Sequence, residues 1–266
     1  MSVWPHDLLE LPALLAERGV RLGRPAHFLE RAGSTQDEAK RGAAAGAPHG
    51  ALWIADHQSQ GRGRQGRVWQ SAAGENALFS LLVRGTFEPT RAPAASLVAG
   101  LAVRVAVARA LGDEAPVGVK WPNDVLVRGA DGWRKLAGVL VEAQSRGNKL
   151  DTLIVGIGIN VHTREFSEDL RATSVALAGQ ATPDRAALIA DVLAWLEQHL
   201  EPVLTRGLGL VHTELERYDV LRDREVRGDV GVGVARGIDQ EGRLRVEIGG
   251  EMQTWSFGEV HLEAPR

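Results

Sequence analysis

Between two apolar runs of this 266-residue chain stands Gln58-Ser59-Gln60-Gly61-Arg62-Gly63-Arg64-Gln65-Gly66-Arg67-Val68-Trp69. Its three glycines let the backbone approach a ligand closely, and Arg62, Arg64 and Arg67 can neutralise phosphate or carboxylate oxygens with paired hydrogen bonds. The stretch reads as an anion clamp. It lacks the Gly-Lys-Ser/Thr ending of a nucleotide-binding loop. Gly61, Gly63 and Gly66 keep a GxGxxG spacing, but an Arg-rich coil follows them where a dinucleotide fingerprint needs a helix. The competing reading is a solvated basic loop or an Arg-Gly nucleic-acid tail. Its place inside a folded region, between the strand candidates Ala51–Ala55 and Ala77–Val83, favours a binding lid that orders on its ligand.

Working outward, Ser34 and Thr35 with Asp37 and Glu38 predict a capping box that opens a helix running to about Ala45. Ala92 to Leu111 is a long apolar run broken by Arg104 and Arg109, predicting a buried helix rather than a membrane span. Short strands are expected at 117–120, 124–128, 135–142 and 150–160, the second and third joined as a hairpin through Gly129-Ala130-Asp131-Gly132. Pro183-Asp184 begins an amphipathic helix carrying Leu188, Val192, Trp195, Leu196 and Leu200, and a second helix is expected over Val211 to Tyr218. After Asp223 alternating Gly and apolar residues predict four or five strands in a small β-barrel.

At about 150 residues per domain the length predicts one large domain with a small companion. The 31 Lys and Arg against 34 Asp and Glu leave a formal charge of −3, so no overall positive field draws the chain to nucleic acid. Only Lys40, Lys120, Lys135 and Lys149 are lysines. Cysteine is absent, which excludes disulfides, Cys-ligated zinc and thiol nucleophiles. The eight histidines show no metal-binding spacing. The N-terminus has acidic residues among its leucines and no basic lead-in, unlike a secretory signal, so the expectation is a cytoplasmic protein without a membrane role.

Three further stretches carry polar groups at strand ends. Lys120-Trp121-Pro122-Asn123-Asp124 places a cation, an amide and a carboxylate at one corner. In Lys135-Leu136-Ala137-Gly138-Val139-Leu140-Val141-Glu142 a lysine opens an apolar strand, and Val155-Gly156-Ile157-Gly158-Ile159-Asn160 is a buried strand whose glycines let something pack on its backbone. Taken in order with Ser34-Thr35-Gln36 and the Arg-Gly loop, these five motifs resemble the biotin protein ligases over roughly residues 28–266. The front end departs from the members that double as repressors: residues 1–26 have no room for a DNA-binding winged helix, so the chain resembles the monofunctional kind.

The resemblance implies an α/β (α+β) fold: a catalytic domain over residues 27–220, with a mixed sheet flanked by helices, then an SH3-like barrel over 221–266. It implies that biotin and ATP form biotinyl-5′-AMP, with Mg²⁺, and that biotin passes to a lysine of a biotin carboxyl carrier domain of a carboxylase. Arg64, Arg67 and Lys135 match catalytic positions. Ser34, Thr35, Gln36, Gln58, Gly61, Arg62, Gly63, Arg64, Lys135 and Gly138 match the biotin site. Arg64, Arg67, Trp69, Asn123, Asp124, Lys135 and Asn160 match the ATP and adenylate site, Asp124 also as a Mg²⁺ ligand. Members often pair side by side through their sheets, so a homodimer is among the expected states. Rival readings are a lipoate-attaching enzyme, a nucleic-acid binder and an inactive relative that stores biotin.

Overall fold

The computed structural model describes residues 4–167, 170–179, 183–256 and 258–262. The first three residues of the N-terminal segment and the last four of the C-terminal module lie outside that range. The elements in chain order are α1 (Leu11–Glu17), β1 (Ala26–Ala32), α2 (Thr35–Ala44), β2 (Leu52–Gln58), β3 (Asn76–Phe87), α3 (Ala92–Leu111), β4 (Val117–Lys120), β5 (Asp124–Gly129), β6 (Gly132–Arg146), β7 (Lys149–Asn160), α4 (Val175–Ala178), α5 (Arg185–Arg206), α6 (His212–Tyr218), β8 (Glu225–Gly228), β9 (Gly231–Ile238), β10 (Leu244–Ile248), β11 (Glu251–Trp255) and β12 (Val260–Leu262).

A mixed seven-stranded sheet has the order β1-β2-β3-β7-β6-β5-β4, with β1 and β2 parallel and every other pair antiparallel. On one face α3 and α5 pack together. Helix α3 is apolar nearly all round because it lies between the sheet and α5, and it is the one helix among the described residues long and apolar enough to cross a membrane. Helix α2 covers part of the other face, where Gly42 leaves room for Trp53: an added Cβ would come within 2.0 Å of that ring. The rest of this second face is the floor of a cavity.

Alternation along β7 divides these two faces. Val155, Ile157 and Ile159 enter the core, while Gly156, Gly158 and Asn160 point to the α2 side. The predicted hairpin joins β5 to β6, but β6 begins at Gly132, and Lys135 lies inside the strand rather than opening it.

Five antiparallel strands follow residue 223, in the order β11-β10-β9-β8-β12. The expected small β module is present, but among the described residues its barrel is not closed: β11 and β12 form the two edges. The three residues of β12 are spent on β8. This small sheet is fastened to the large one: Trp121, 2% exposed, donates from Nε1 to the Gly242 carbonyl at 2.9 Å.

Helix α2 corrects a second expectation. Ser34 is its N-cap, but its hydroxyl accepts from the Gln36 N–H at 3.3 Å, and no reciprocal capping box forms. Arg62 draws Asp37 away with two hydrogen bonds of 3.0 and 2.6 Å, and Glu38 pairs with Arg41. Two ionic contacts outcompete one weak cap.

Candidate active site

A cavity of about 1150 Å³ occupies the α2 face of the large sheet. Its floor is a row of cross-strand partners, Lys120–Asp124–Gly138–Gly158, aligned by the pairings of β4, β5, β6 and β7. The Gly138–Gly158 pair makes the floor flat enough for the Trp69 indole. An added Cβ would stand 3.2 Å from that ring at Gly138 and 2.8 Å at Gly158.

A bulge brings Lys135 onto the same floor. Residues three apart on a strand point to opposite faces, yet the β5–β6 register shifts between Val125–Ala137 and Leu126–Lys135, so Leu136 is the extra residue. Leu136 enters the core, and Lys135 turns to the cavity beside Gly138. The Lys135 backbone N–H and carbonyl then bond to Arg171 and Thr173 rather than to β5.

One end of the cavity is already satisfied by its own side chains. The Thr35 N–H and hydroxyl both donate to Gln58 Oε1, at 2.7 and 3.1 Å, and the Ser80 hydroxyl donates to Thr35 Oγ1 at 2.8 Å. Gln36 donates from Nε2 to Glu142 at 2.9 Å and to the Leu140 carbonyl at 3.2 Å, while its Oε1 lies against Gly156, buried and unpartnered.

The other end is cationic. Lys135 Nζ lies 2.7 Å from Asp124 Oδ1, and Lys120, Arg64 and Arg67 line the same region. Burial pushes the Lys120 ammonium below the ordinary lysine range; Asp124 opposes this, and Lys135 and Arg67 add to it. Burial likewise lowers Arg64, with Asp124 opposing and Arg67 reinforcing. Four cations are thus gathered around Asp124, with Glu259 at Arg67.

The Arg-Gly loop folds back on itself as a small hairpin rather than a tail. Trp69 N–H bonds to the Gly61 carbonyl, Gly63 N–H to Arg67, and a short turn at Arg64–Gly66 puts Gln65 at φ 55°. Gly61 does not line the cavity, contrary to expectation. An added Cβ there would meet the Trp69 carbonyl at 2.5 Å, so this glycine closes the base of the loop. The Arg62 guanidinium is held by Asp37, with Glu142 3.7 Å away, and Arg67 is paired with Glu259 from the small sheet.

The other expected residues meet at the cavity: Ser34, Gly63, Asn123 and Asn160 line it beside those already placed. Two of their amide donors are engaged within the chain, Asn123 with the Val139 carbonyl at 2.9 Å and Asn160 with Thr173 at 3.0 Å. Sequence reasoning missed Glu75, Lys120 as a site residue, the segment from His162 to Ser167, and Gly258–Val260, all of which line the cavity, and Ser80, which is buried behind Thr35 and supports it. Ser80 had a signal, a polar residue in an apolar strand. The segment after Asn160 had none.

A mixed sheet whose glycine-floored face carries cations at one end and a neutral hydrogen-bonding corner at the other defines a site for a ligand that is anionic at one end and neutral at the other. Residues 29–160 match the biotin/lipoate A/B protein ligase family, and residues 223–262 match the biotin protein ligase C-terminal domain. A biotin--[acetyl-CoA-carboxylase] ligase of Mycobacterium tuberculosis is 36% identical over 252 residues, 90% of each chain. The biotin protein ligase of Aquifex aeolicus, solved in complex with biotin and ATP, superposes with a TM-score of 0.75 at 29% identity, covering 91% of this chain and all of that one. That of Leishmania major, solved with biotinyl-5-AMP, gives 0.61 at 25% identity, covering 91% of this chain and 99% of the other. The chain belongs to the biotin protein ligase family.

Proposed function

We propose that this chain activates biotin with ATP and transfers it to a lysine of a biotin carboxyl carrier domain of a carboxylase. The carrying observation is the two-ended cavity on one flat glycine floor. In the first step a biotin carboxylate oxygen attacks the α-phosphorus of ATP, the bond to the bridging oxygen breaks, and pyrophosphate leaves. In the second the carrier amine attacks the carboxyl carbon of the mixed anhydride, AMP leaves, and one proton is released.

The neutral corner of Ser34, Thr35 and Gln58, with Gln36 beside it, suits a ureido ring, which needs a few directed polar groups in an otherwise apolar wall. The cationic end suits the phosphates. Lys135, Arg64 and Arg67 hold charge where the pentacovalent oxygens develop it, and removal of one such group should cost roughly 10²–10³ in rate by analogy with a lost oxyanion donor. Trp69 and Asn160 fall on the adenine side, and Asn123 steadies the turn that presents Asp124. No cluster of three metal-ligating side chains exists among the described residues. Asp124, which shares the cationic end with Lys135, would be the carboxylate to hold Mg²⁺, and the ion would supply further positive charge against the phosphates. On this reading residues 27–220 form the catalytic domain, and the module from 221 contributes Glu259 to its rim.

The test is incubation with biotin, Mg-ATP and a carrier domain, following pyrophosphate and carrier mass. One biotin added per carrier, dependent on ATP and lost in Arg64→Ala and Lys135→Ala, supports the proposal. Biotin binding without pyrophosphate release overturns it in favour of a storage protein, and no biotin binding overturns the substrate.

A further inference from the structure

Arg185, the first residue of α5, is 2% exposed and has no place in the site described above. Its Nε and Nη2 donate to the two carboxylate oxygens of Asp7 at 2.6 and 2.8 Å. Its Nη1 donates to Asp56 at 2.8 Å and to the Asn76 carbonyl at 3.3 Å. A cation at that depth persists only when paired and hydrogen-bonded, and half of the pairing comes from the N-terminal segment. That segment runs along α5 as a strap. Leu8, Leu11 and Leu15 are in the core, Arg18 pairs with Asp191, and Arg21 pairs with Glu197 at 2.9 Å.

The other side of the same guanidinium reaches the cavity wall. Asp56 precedes Gln58 by two residues on β2, and Asn76 is the register partner of Asn160. The Asn76 side-chain oxygen accepts from the Val161 N–H and the Thr163 hydroxyl, each at 3.0 Å, and the Glu75 carbonyl accepts from the His162 N–H at 2.8 Å. Asn160, His162 and Thr163 line the cavity. One buried charge therefore joins the strap, α5 and the start of β3, which in turn holds the turn leaving β7.

We propose that Arg185, held by Asp7, is a positioning residue for the nucleotide side of the cavity, so that the N-terminal strap acts on ATP binding. This rests on the placement of ATP argued above. Through Asn76, Arg185 fixes the Asn160 end; its other carboxylate, Asp56, lies two residues from Gln58, but the Thr35–Gln58–Ser80 corner has its own hydrogen bonds, and among the described residues the strap makes no hydrogen bond to Asp56. Disturbing Asp7 should therefore separate the two substrates.

The experiment uses the full chain as wild type, Asp7→Asn, Asp7→Glu and Arg21→Ala, measuring thermal midpoint, KM for ATP at saturating biotin, KM for biotin at saturating ATP, and kcat. Asp7→Asn should raise the ATP KM roughly tenfold, the scale of a coupling through a packed network, with the biotin KM unchanged. Asp7→Glu should recover part of the loss. Arg21→Ala loosens the same strap elsewhere and should move the midpoint without moving the ratio of the two KM values. If Asp7→Asn also changes only the midpoint, or raises both KM values alike, Arg185 is a structural strut and the inference falls. If wild type releases no pyrophosphate with biotin and ATP, the functional reading itself has failed, and the inference with it.

Discussion

The two ends of the cavity solve opposite problems. At Thr35, Gln58 and Ser80 every contact is short and internal, with three hydrogen bonds between 2.7 and 3.1 Å. At Lys120, Lys135, Arg64 and Arg67 four cations face Asp124, with Glu259 paired to Arg67, and burial with mutual repulsion lowers both Lys120 and Arg64. The first end is organised before any ligand arrives, which suits a neutral ring that offers little electrostatic energy. The second is electrostatically unsatisfied and gains most when a polyanion enters, so its interactions grow with the charge that develops in the transition state.

The sharpest test of that contrast is Lys135→Ala or Arg64→Ala. Pyrophosphate release should fall roughly 10²–10³-fold, a larger loss than that of biotin affinity measured by calorimetry without ATP. An equal loss of biotin affinity would break the comparison.

A second test uses a carboxyl whose strain no ligand relieves. Asp219 lies where α6 leads into the small sheet; its Oδ1 accepts from the Leu221 N–H at 2.9 Å, and its Oδ2 is buried without a partner. Burial raises its pKa to about 6, against hydrogen bonds from the backbone and the nearby Arg222. Because the folded value lies above the unfolded one, the native state binds the proton more tightly. Stability from this group is greatest at low pH, declines as pH rises from about 4 to about 6, and is flat above. Asp219→Asn should remove that decline and raise unfolding free energy at pH 7.5 by about 2 kcal/mol, read from urea midpoints. ATP should leave this dependence unchanged.

Third, Thr35→Val removes a hydroxyl that both donates and accepts. The stranded Ser80 and Gln58 groups should weaken biotin binding by about 1–2 kcal/mol, roughly tenfold, with kcat near wild type. A fall in kcat without a change in biotin KM would show that the neutral corner is not a ground-state binding site.

The smallest effect concerns pH at the cationic end. Lys120 loses its charge at lower pH than an ordinary lysine, so the ATP KM should climb on the alkaline side while the biotin KM stays level. Lys120→Arg should flatten that climb, measured from pH 7 to 10.

Much of this was legible in the chain. Ser34 marks the start of α2, Ala92–Leu111 are the bounds of α3, and the alternation of Val155 to Asn160 shows which side of β7 is open. The failures have physical causes. Asp37 left its predicted capping role because Arg62 is close in space, and Gly61 serves the loop's closure because the Trp69 backbone returns to it. Glu259 gave no sign of itself, since its partner Arg67 is 192 residues away.

Local patterns settle which way a side chain faces along one strand or helix, because that depends on neighbours a few residues away. The chain alone therefore indicated most of the elements, though not β1 or α4, and with them the polar chemistry of the loop and the residue types of the site. Register and bulges depend instead on pairing between distant strands. The row from Lys120 to Gly158, the turning of Lys135 by the bulge at Leu136, and the burial of Arg185 between Asp7 and Asp56 were settled in three dimensions, because each is a balance of contacts among segments that no spacing in the sequence relates.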